Sequence, residues 1–292
     1  MSSPHGCLHA GDGFVKEFKM RRFHFIRWFA ISLCLVFTIA GGFAQSPTPG
    51  KGEDFTPFSG QPGKDVVWVP TPQELVDTML NMAKVTSADY VIDLGSGDGR
   101  TVITAAKRGA TALGIEYNPD MVELAKRSAA REKVSAKAAF IEADLFASDF
   151  SKATVITMFL LPSINLELRP KILDMKPGTR VVSNTFDMGD WKPDQTTNIK
   201  ENCQSWCIAH LWIVPAKVNG TWKLDAGQIK FNQEFQNITG TLTINGKDQA
   251  ITGKLDGNKI SFNDGSTEYT GTVSGGTISG TRAGGGSWKA TR

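Results

Sequence analysis

Apolar residues recur along this chain in two periods, and the change of period divides it. Leu75, Val76, Met79, Leu80 and Met82 fall at helical spacing. They follow Thr71-Pro72-Gln73-Glu74, in which Thr71 can cap, Pro72 suits the first helical position and Glu74 completes a capping box. From Tyr90 short apolar runs alternate with amphipathic stretches. The pattern predicts strands at 90–94, 111–116, 138–142, 154–159, 179–184 and 208–214, with helices at 99–108, 119–132 and 163–175. Asn118-Pro119 is a second cap-then-proline start. Strand and helix in regular alternation mean a mainly parallel sheet with helices on both faces, an α/β fold.

Beyond residue 216 the helical period disappears. Nearly half of the 30 glycines fall there, among many Thr and Ser. Ile238-Thr239-Gly240-Thr241-Leu242 is echoed by Ile251-Thr252-Gly253-Lys254-Leu255 and by Tyr269-Thr270-Gly271-Thr272-Val273. Asn245-Gly246, Asp256-Gly257 and Asp264-Gly265 are hairpin turn pairs. The expectation is a small all-β domain at 217–292, an antiparallel meander of about six to eight short strands, either open or closed as a barrel.

The first strand, Tyr90 to Leu94, carries Asp93 and runs into Gly95-Ser96-Gly97-Asp98-Gly99. A glycine-rich turn between strand and helix lets backbone approach a ligand, with helix N–H groups facing it. A dinucleotide fingerprint asks for a sixth-position glycine, where this chain has Arg100. The G-x-G-x-G form led by Asp93 instead resembles motif I of the S-adenosylmethionine-dependent methyltransferases. Two further acids test that choice. Glu116 ends the second strand, where an acid accepts ribose hydroxyls. Asp144, followed by Leu145, comes after the third, at a place that suits an adenine amino group and matches the methyltransferase pattern. The donor-binding set is therefore Asp93, Gly95, Ser96, Gly97, Gly99, Glu116, Asp144 and Leu145.

The stretches "YVIDLGSGDGR", "GIEYNP", "DLF", "VITMFLLPSINLELRPKI" and "PGTRVVSNTFDMGDWKPD" together resemble a bacterial group of methyltransferase-domain proteins. That group is related to the seven-strand protein-lysine methyltransferases that modify the ATP synthase c-subunit. The "DLGSG" loop is more distantly similar to that of the Dot1 histone lysine methyltransferases. The resemblance covers residues 66–216 and implies a Rossmann-like seven-strand sheet with an antiparallel last strand. S-adenosylmethionine is the implied cofactor.

In open α/β sheets ligands sit beyond the carboxyl ends of the strands. That rule nominates Thr157 and Phe159 after the fourth strand, and Asp187 and Trp191 after the fifth, for the methyl acceptor. The fourth strand lacks the Asn-Pro-Pro-Tyr or Asp-Pro-Pro-Tyr signature of enzymes acting on planar amides and adenine amines. The apolar lip at 157–162 fits a lysine channel better, because it favours the neutral amine. A small lipophilic acceptor is the alternative. No general base stands out, so no catalytic residue is assigned. His210, in an apolar strand, reads as a satisfied core histidine, and Lys107-Arg108 and Lys126-Arg127 as solvated helix faces.

The 292 residues suffice for this domain and the smaller one, and a net charge of only +3 argues against a nucleic-acid partner. A basic segment at 20–27, an apolar run at 28–40 and the small residues Gly42 and Ala44 read as a secretory signal starting at Met20 and cleaved after Ala44. The alternative is an uncleaved membrane anchor. Either places the rest of the chain outside the cytoplasm, in periplasmic or extracellular space or on the membrane. Residues 45–65 then read as a linker rich in Pro, Gly and charge. In an oxidising compartment Cys203 and Cys207 either bridge across a small loop or remain free thiols. Their spacing is not a redox Cys-x-x-Cys, and no second Cys/His cluster supports a metal site. Two functions compete. The intact glycine and acid set argues for a methyltransferase whose β-domain helps choose a partner. Export argues for a binding module with a degenerate methyltransferase fold, because S-adenosylmethionine is made in the cytoplasm. A dinucleotide oxidoreductase is a weaker third, against which Arg100 and Asp144 count.

Overall fold

The computed structural model describes residues 55–200 and 203–292. The proposed signal at 1–44 and the first part of the linker lie outside the described residues. Among the described residues no helix is long and apolar enough to cross a membrane.

Seven strands form one sheet in the order β3-β2-β1-β4-β5-β7-β6. They are β1 (Tyr90–Leu94), β2 (Thr111–Glu116), β3 (Ala138–Glu142), β4 (Val155–Met158), β5 (Arg180–Asn184), β6 (Gln195–Asn198) and β7 (Ile208–Ile213). The first five are parallel, and β7 is antiparallel to both its neighbours. This is the mixed Rossmann-like sheet that the resemblance implies. Only β6 is missing from the sequence pattern. Its four polar residues sit at the sheet edge and carry no apolar alternation.

Four helices, α1 (Gln73–Met82), α2 (Arg100–Lys107), α3 (Pro119–Arg131) and α4 (Pro162–Leu173), flank the sheet. Two separate apolar cores result. α1 to α3 pack with Val91, Val155 and Val182, while α4 packs with Ile92, Ile156 and Val181. Alternate residues of the same strands thus serve opposite faces. Asn118 caps α3 as its sequence suggests, accepting from the backbone N–H groups of Asp120 and Met121. The capping box expected before α1 does not form. Pro72 occupies the N-cap position without a side-chain bond, because the Thr71 hydroxyl instead accepts from Asn184 Nδ2 at 3.2 Å. His210 is satisfied, its ring nitrogens meeting Thr196 Oγ1 at 2.9 Å and the Thr185 carbonyl at 3.1 Å.

The C-terminal strands form a closed eight-strand antiparallel barrel, from β8 (Gly220–Leu224) to β15 (Ser287–Thr291). Trp222, Ile229, Phe231 and Phe262 fill its interior. It meets the α/β sheet at the amino end of β5, where the Ala216 N–H donates to the Gly257 carbonyl and Gly257 lies against Gly178. Gln236 Nε2 also donates to the Lys192 carbonyl at 2.9 Å. No barrel residue lines the cleft at the opposite, carboxyl end of the sheet.

Candidate active site

A cleft of about 450 Å³ opens beyond the carboxyl ends of β1, β2 and β4, a size suited to a cofactor. The glycine loop forms its floor. Gly97 has φ +53°, and a Cβ placed on it would lie 2.4 Å from the indole nitrogen of Trp68. Gly99 has φ +82°, and its Cβ would meet the Phe140 ring at 2.7 Å. The third glycine therefore lets the start of α2 pack against β3 and α3, and Gly97 lets backbone and Trp68 close together. Arg100, the residue that departs from the dinucleotide pattern, turns away from this packing. Its guanidinium pairs with Asp98 at 2.6 Å and donates to the Thr71 carbonyl at 2.8 Å.

The acids stand at successive strand ends. Glu116 is fixed by two backbone donors, Gly97 N at 2.8 Å and Asn118 N at 3.0 Å. Asp144 faces the cleft, accepts from Phe146 N at 2.8 Å and pairs with Lys64 Nζ at 2.6 Å. That ammonium holds the Asp144 carboxyl below the usual range. Asp93 is buried beneath the loop, and burial pushes its carboxyl up to about 7. Glu116 and Asp98 push in the same direction, while the Thr157 and Thr101 hydroxyls oppose them. The cleft fits a nucleoside-bearing cationic donor. Five carboxyl groups line it, those of Asp65, Asp93, Asp98, Glu116 and Asp144, and the Ser96 hydroxyl is buried there without a partner.

The sequence-nominated residues separate into two groups. Asp93, Gly95, Ser96, Gly97, Glu116, Asp144, Leu145 and Phe159 line the cleft. Gly99 lies behind the loop. Thr157, Asp187 and Trp191 are not in the cleft. Thr157 is fully buried and donates its hydroxyl hydrogen to Asp93, its register partner across β1 and β4. Asp187 is exposed and accepts from Gly189 N at 3.0 Å. Trp191 is fully buried, with Trp212 Nε1 donating to its carbonyl at 2.7 Å. Thr157 therefore acts on the site only through Asp93, and Trp191 belongs to the packing between sheet and barrel.

Other lining residues had no motif to announce them. Residues 61–71, in part assigned to a linker by composition, run along the cleft. Trp68 there packs on Gly97, a short bridge joins Gln61 to Trp68, and Lys64 reaches Asp144. Past the carboxyl ends of β4 and β5, Phe186 and Trp206 join Phe159 in the cleft. Cys203 and Cys207 are bridged, with Cα atoms 5.8 Å apart.

The ANTKMT methyltransferase domain matches residues 93–195. A protein-lysine N-methyltransferase of Saccharolobus islandicus is 42% identical over 139 residues, which are 47% of this chain and 86% of that one. The human lysine N-methyltransferase of the ATP synthase c-subunit is 35% identical over 131 residues, 44% of this chain and 56% of the human one. The chain thus spans little more than half the length of its human relative. A crystal structure described as an RNA methyltransferase from Salinibacter ruber with S-adenosyl-L-homocysteine is 44% identical, covers 51% of this chain and 96% of that one, and superposes with a TM-score of 0.49.

Fold, glycine loop and relatives define a class I S-adenosylmethionine-dependent methyltransferase. Within that class the chain belongs to the family of the archaeal protein-lysine N-methyltransferase, and it is related to the ANTKMT methyltransferases.

The buried Asp93 is expected to make donor binding depend on pH. Its raised pKa means that the free site holds it neutral below about pH 7. A sulfonium and an ammonium on the donor favour the ionised form, so binding releases a proton in that range. Affinity is expected to be about tenfold tighter at pH 8 than at pH 6, and Asp93→Asn to flatten the profile. Stability of the free protein runs the other way, falling as pH rises from the ordinary carboxylate range through about 7. Calorimetry with S-adenosylhomocysteine and S-adenosylmethionine across this range checks it; a parent with a flat profile removes Asp93 from donor binding.

Proposed function

We propose that this chain is a protein-lysine N-methyltransferase. The observation that carries the reading is one cleft with two unlike ends. Carboxylates crowd the donor end. Phe159, Phe186, Trp206, Leu160 and Leu161 give the acceptor end an apolar wall. The donor supplies a methyl group already activated on sulfur, and an amine attacks it in line. The chain's own task is then to hold, align and desolvate. Glu116 and Asp144 offer acceptor oxygens for hydroxyl and amino groups, and the glycine loop brings backbone close. The aliphatic part of that wall, Leu160 and Leu161, excludes water and lowers the pKa of an inserted lysine, which raises the fraction of free amine. The β4 lip, Met158-Phe159-Leu160-Leu161-Pro162, has no Asn or Asp with which to grip a planar amide. The activities for which the archaeal and human relatives are named support the same acceptor.

The test is incubation of the chain with methyl-labelled S-adenosylmethionine and a membrane-plus-envelope extract, followed by digestion. Methyl-lysine in peptides is the expected product. Label confined to an organic-soluble small molecule rules lysine out.

Export is part of this proposal. Its support is the order basic, apolar, small from Arg21 to Ala44. The purified native protein is expected to begin near Gln45. A chain that retains Arg21 and fractionates with the cytosol counts against export.

A further inference from the structure

Trp206 is a large apolar side chain left 40% exposed, on a loop with no helix or strand of its own. Its backbone has φ +61°, a conformation that few residues other than glycine adopt. The loop is closed by the Cys203–Cys207 bridge. A bridge across so short a loop removes little entropy from the unfolded chain, because that stabilisation grows with loop length. Its effect is local: it fixes where the intervening residues point.

Trp206 points at the acceptor end. The Trp206 ring lies 5.6 Å from Phe159 and 5.5 Å from Phe186, and the two phenylalanines are 6.0 Å apart. The chain brings them together by its β5–β7 pairing, which sets the segment after β5 beside the segment before β7. There the Thr185 N–H donates to the Ile208 carbonyl at 2.7 Å. Thr185 also has φ +60°, an unusual cost for a β-branched residue, and the next residue is Phe186. Asn165 Nδ2 donates to the Phe186 carbonyl at 3.3 Å and the Asp187 carbonyl at 3.0 Å, holding this turn from α4. Two strained residues and a bridge therefore set one aromatic trio. Such strain persists only where the surroundings enforce it, and it gathers at functional sites.

We infer that Trp206, held by the Cys203–Cys207 bridge, completes with Phe159 and Phe186 a recognition wall for a cationic side chain, so that acceptor binding, and not donor binding, depends on the bridge. Ring faces attract an ammonium without needing its N–H groups. The charged amine, methylamine and dimethylamine forms are then all held as they arrive, and transfer to one nitrogen repeats each time the held ammonium gives its proton to water and becomes the free amine that desolvation by Leu160 and Leu161 favours. The donor end is independent of the trio, because Glu116, Asp144 and the glycine loop are set by β1, β2, β3 and α2. The inference rests on the lysine reading for the identity of the acceptor and extends it to a residue and a condition.

The test uses the full chain loaded with S-adenosylhomocysteine. The probes are Nα-acetyl-Nε-trimethyllysine amide and its neutral tert-butyl isostere, titrated by NMR. The parent is expected to bind the cation about fivefold or more tightly than the isostere. Trp206→Ala, and Cys203→Ser with Cys207→Ser, are expected to lose that preference, whereas Trp206→Phe retains most of it. S-adenosylhomocysteine affinity stays within about twofold in all of them, since none touches the donor end. A dithiol added to the parent gives the same loss. It passes two electrons and two protons to the bridge, leaving thiols at Cys203 and Cys207, and becomes a cyclic disulfide itself. Should the serine variant fail to fold, the reduced parent decides. Equal cation binding by parent, Trp206→Ala and reduced parent overturns the inference. A parent that prefers the cation in a bridge-dependent way, yet labels no lysine in the extract, overturns the lysine reading alone.

Discussion

Gly97→Val is expected to abolish donor binding while the protein stays folded. The backbone at Gly97 has φ +53°, where an L residue costs roughly 1–2 kcal/mol and a β-branched one more. The new Cβ also falls 2.4 Å from Trp68 Nε1. Either the loop or the segment carrying Trp68 must move, and both line the cleft. Movement of the loop takes the Gly97 N–H away from Glu116, freeing the carboxylate that it orients. Together these are worth about 3 kcal/mol or more, a loss in affinity of roughly a hundredfold or more. The global cost is only the strain, which a protein of ordinary stability survives. Calorimetry with S-adenosylhomocysteine and a circular dichroism melt separate the two effects. Gly97→Ala is expected to fall between parent and Val. Parent-like binding by the valine variant removes the loop from the donor site.

Trp191→Ala is expected to act on stability and to spare the cleft. The Trp191 ring is fully buried between Phe235, at 6.0 Å, and Trp212, at 6.2 Å. Phe235 comes from the barrel, so the stack joins barrel to sheet. Cutting a buried Trp to Ala costs about 3–5 kcal/mol. For a protein of this size that lowers the melting temperature by roughly 6–20 °C. Trp191→Phe keeps the apolar contact and recovers most of the loss. Donor affinity and acceptor KM at a permissive temperature are expected to match the parent. A variant that melts like the parent but has a raised acceptor KM would return Trp191 to the substrate.

Local pattern reveals the donor end and hides the acceptor end. Asp93, Gly97, Glu116 and Asp144 are each a strand end or the turn after it, so hydrophobic periodicity locates them without any knowledge of contacts. The same edge rule applied to β4 and β5 reaches the right neighbourhood and finds Phe159, but its other three nominations lie outside the cleft. Thr157 alternates onto Asp93, which its register beside β1 decides. The rule favours Asp187 and Trp191 over Phe186, whereas an unusual backbone turn at Thr185 selects which side chain faces the cleft. Trp206 owes its place to the antiparallel pairing of β5 with β7, a contact between distant parts of the chain. Lys64 and Trp68 sit in a Pro- and Gly-rich stretch that reads as a tether. Only the surface that it covers shows that it is a wall. In the fold, β6 is silent in the pattern because an exposed polar edge strand has no apolar side to alternate.

The order of strands in the barrel has a consequence for how the chain folds. From β8 to β15 each strand pairs with the next in sequence, so seven of the eight contacts around the ring are hairpins of low contact order. The eighth, between Thr291 and Lys223, joins the two ends of the domain. It carries the largest loop-closure cost of the ring, and hairpin growth can precede it from any starting turn. Deleting β15 therefore leaves the meander its local pairings but strands β8 and β14 (Thr277–Arg282) as open edges, the kind of surface on which a second chain can add a strand.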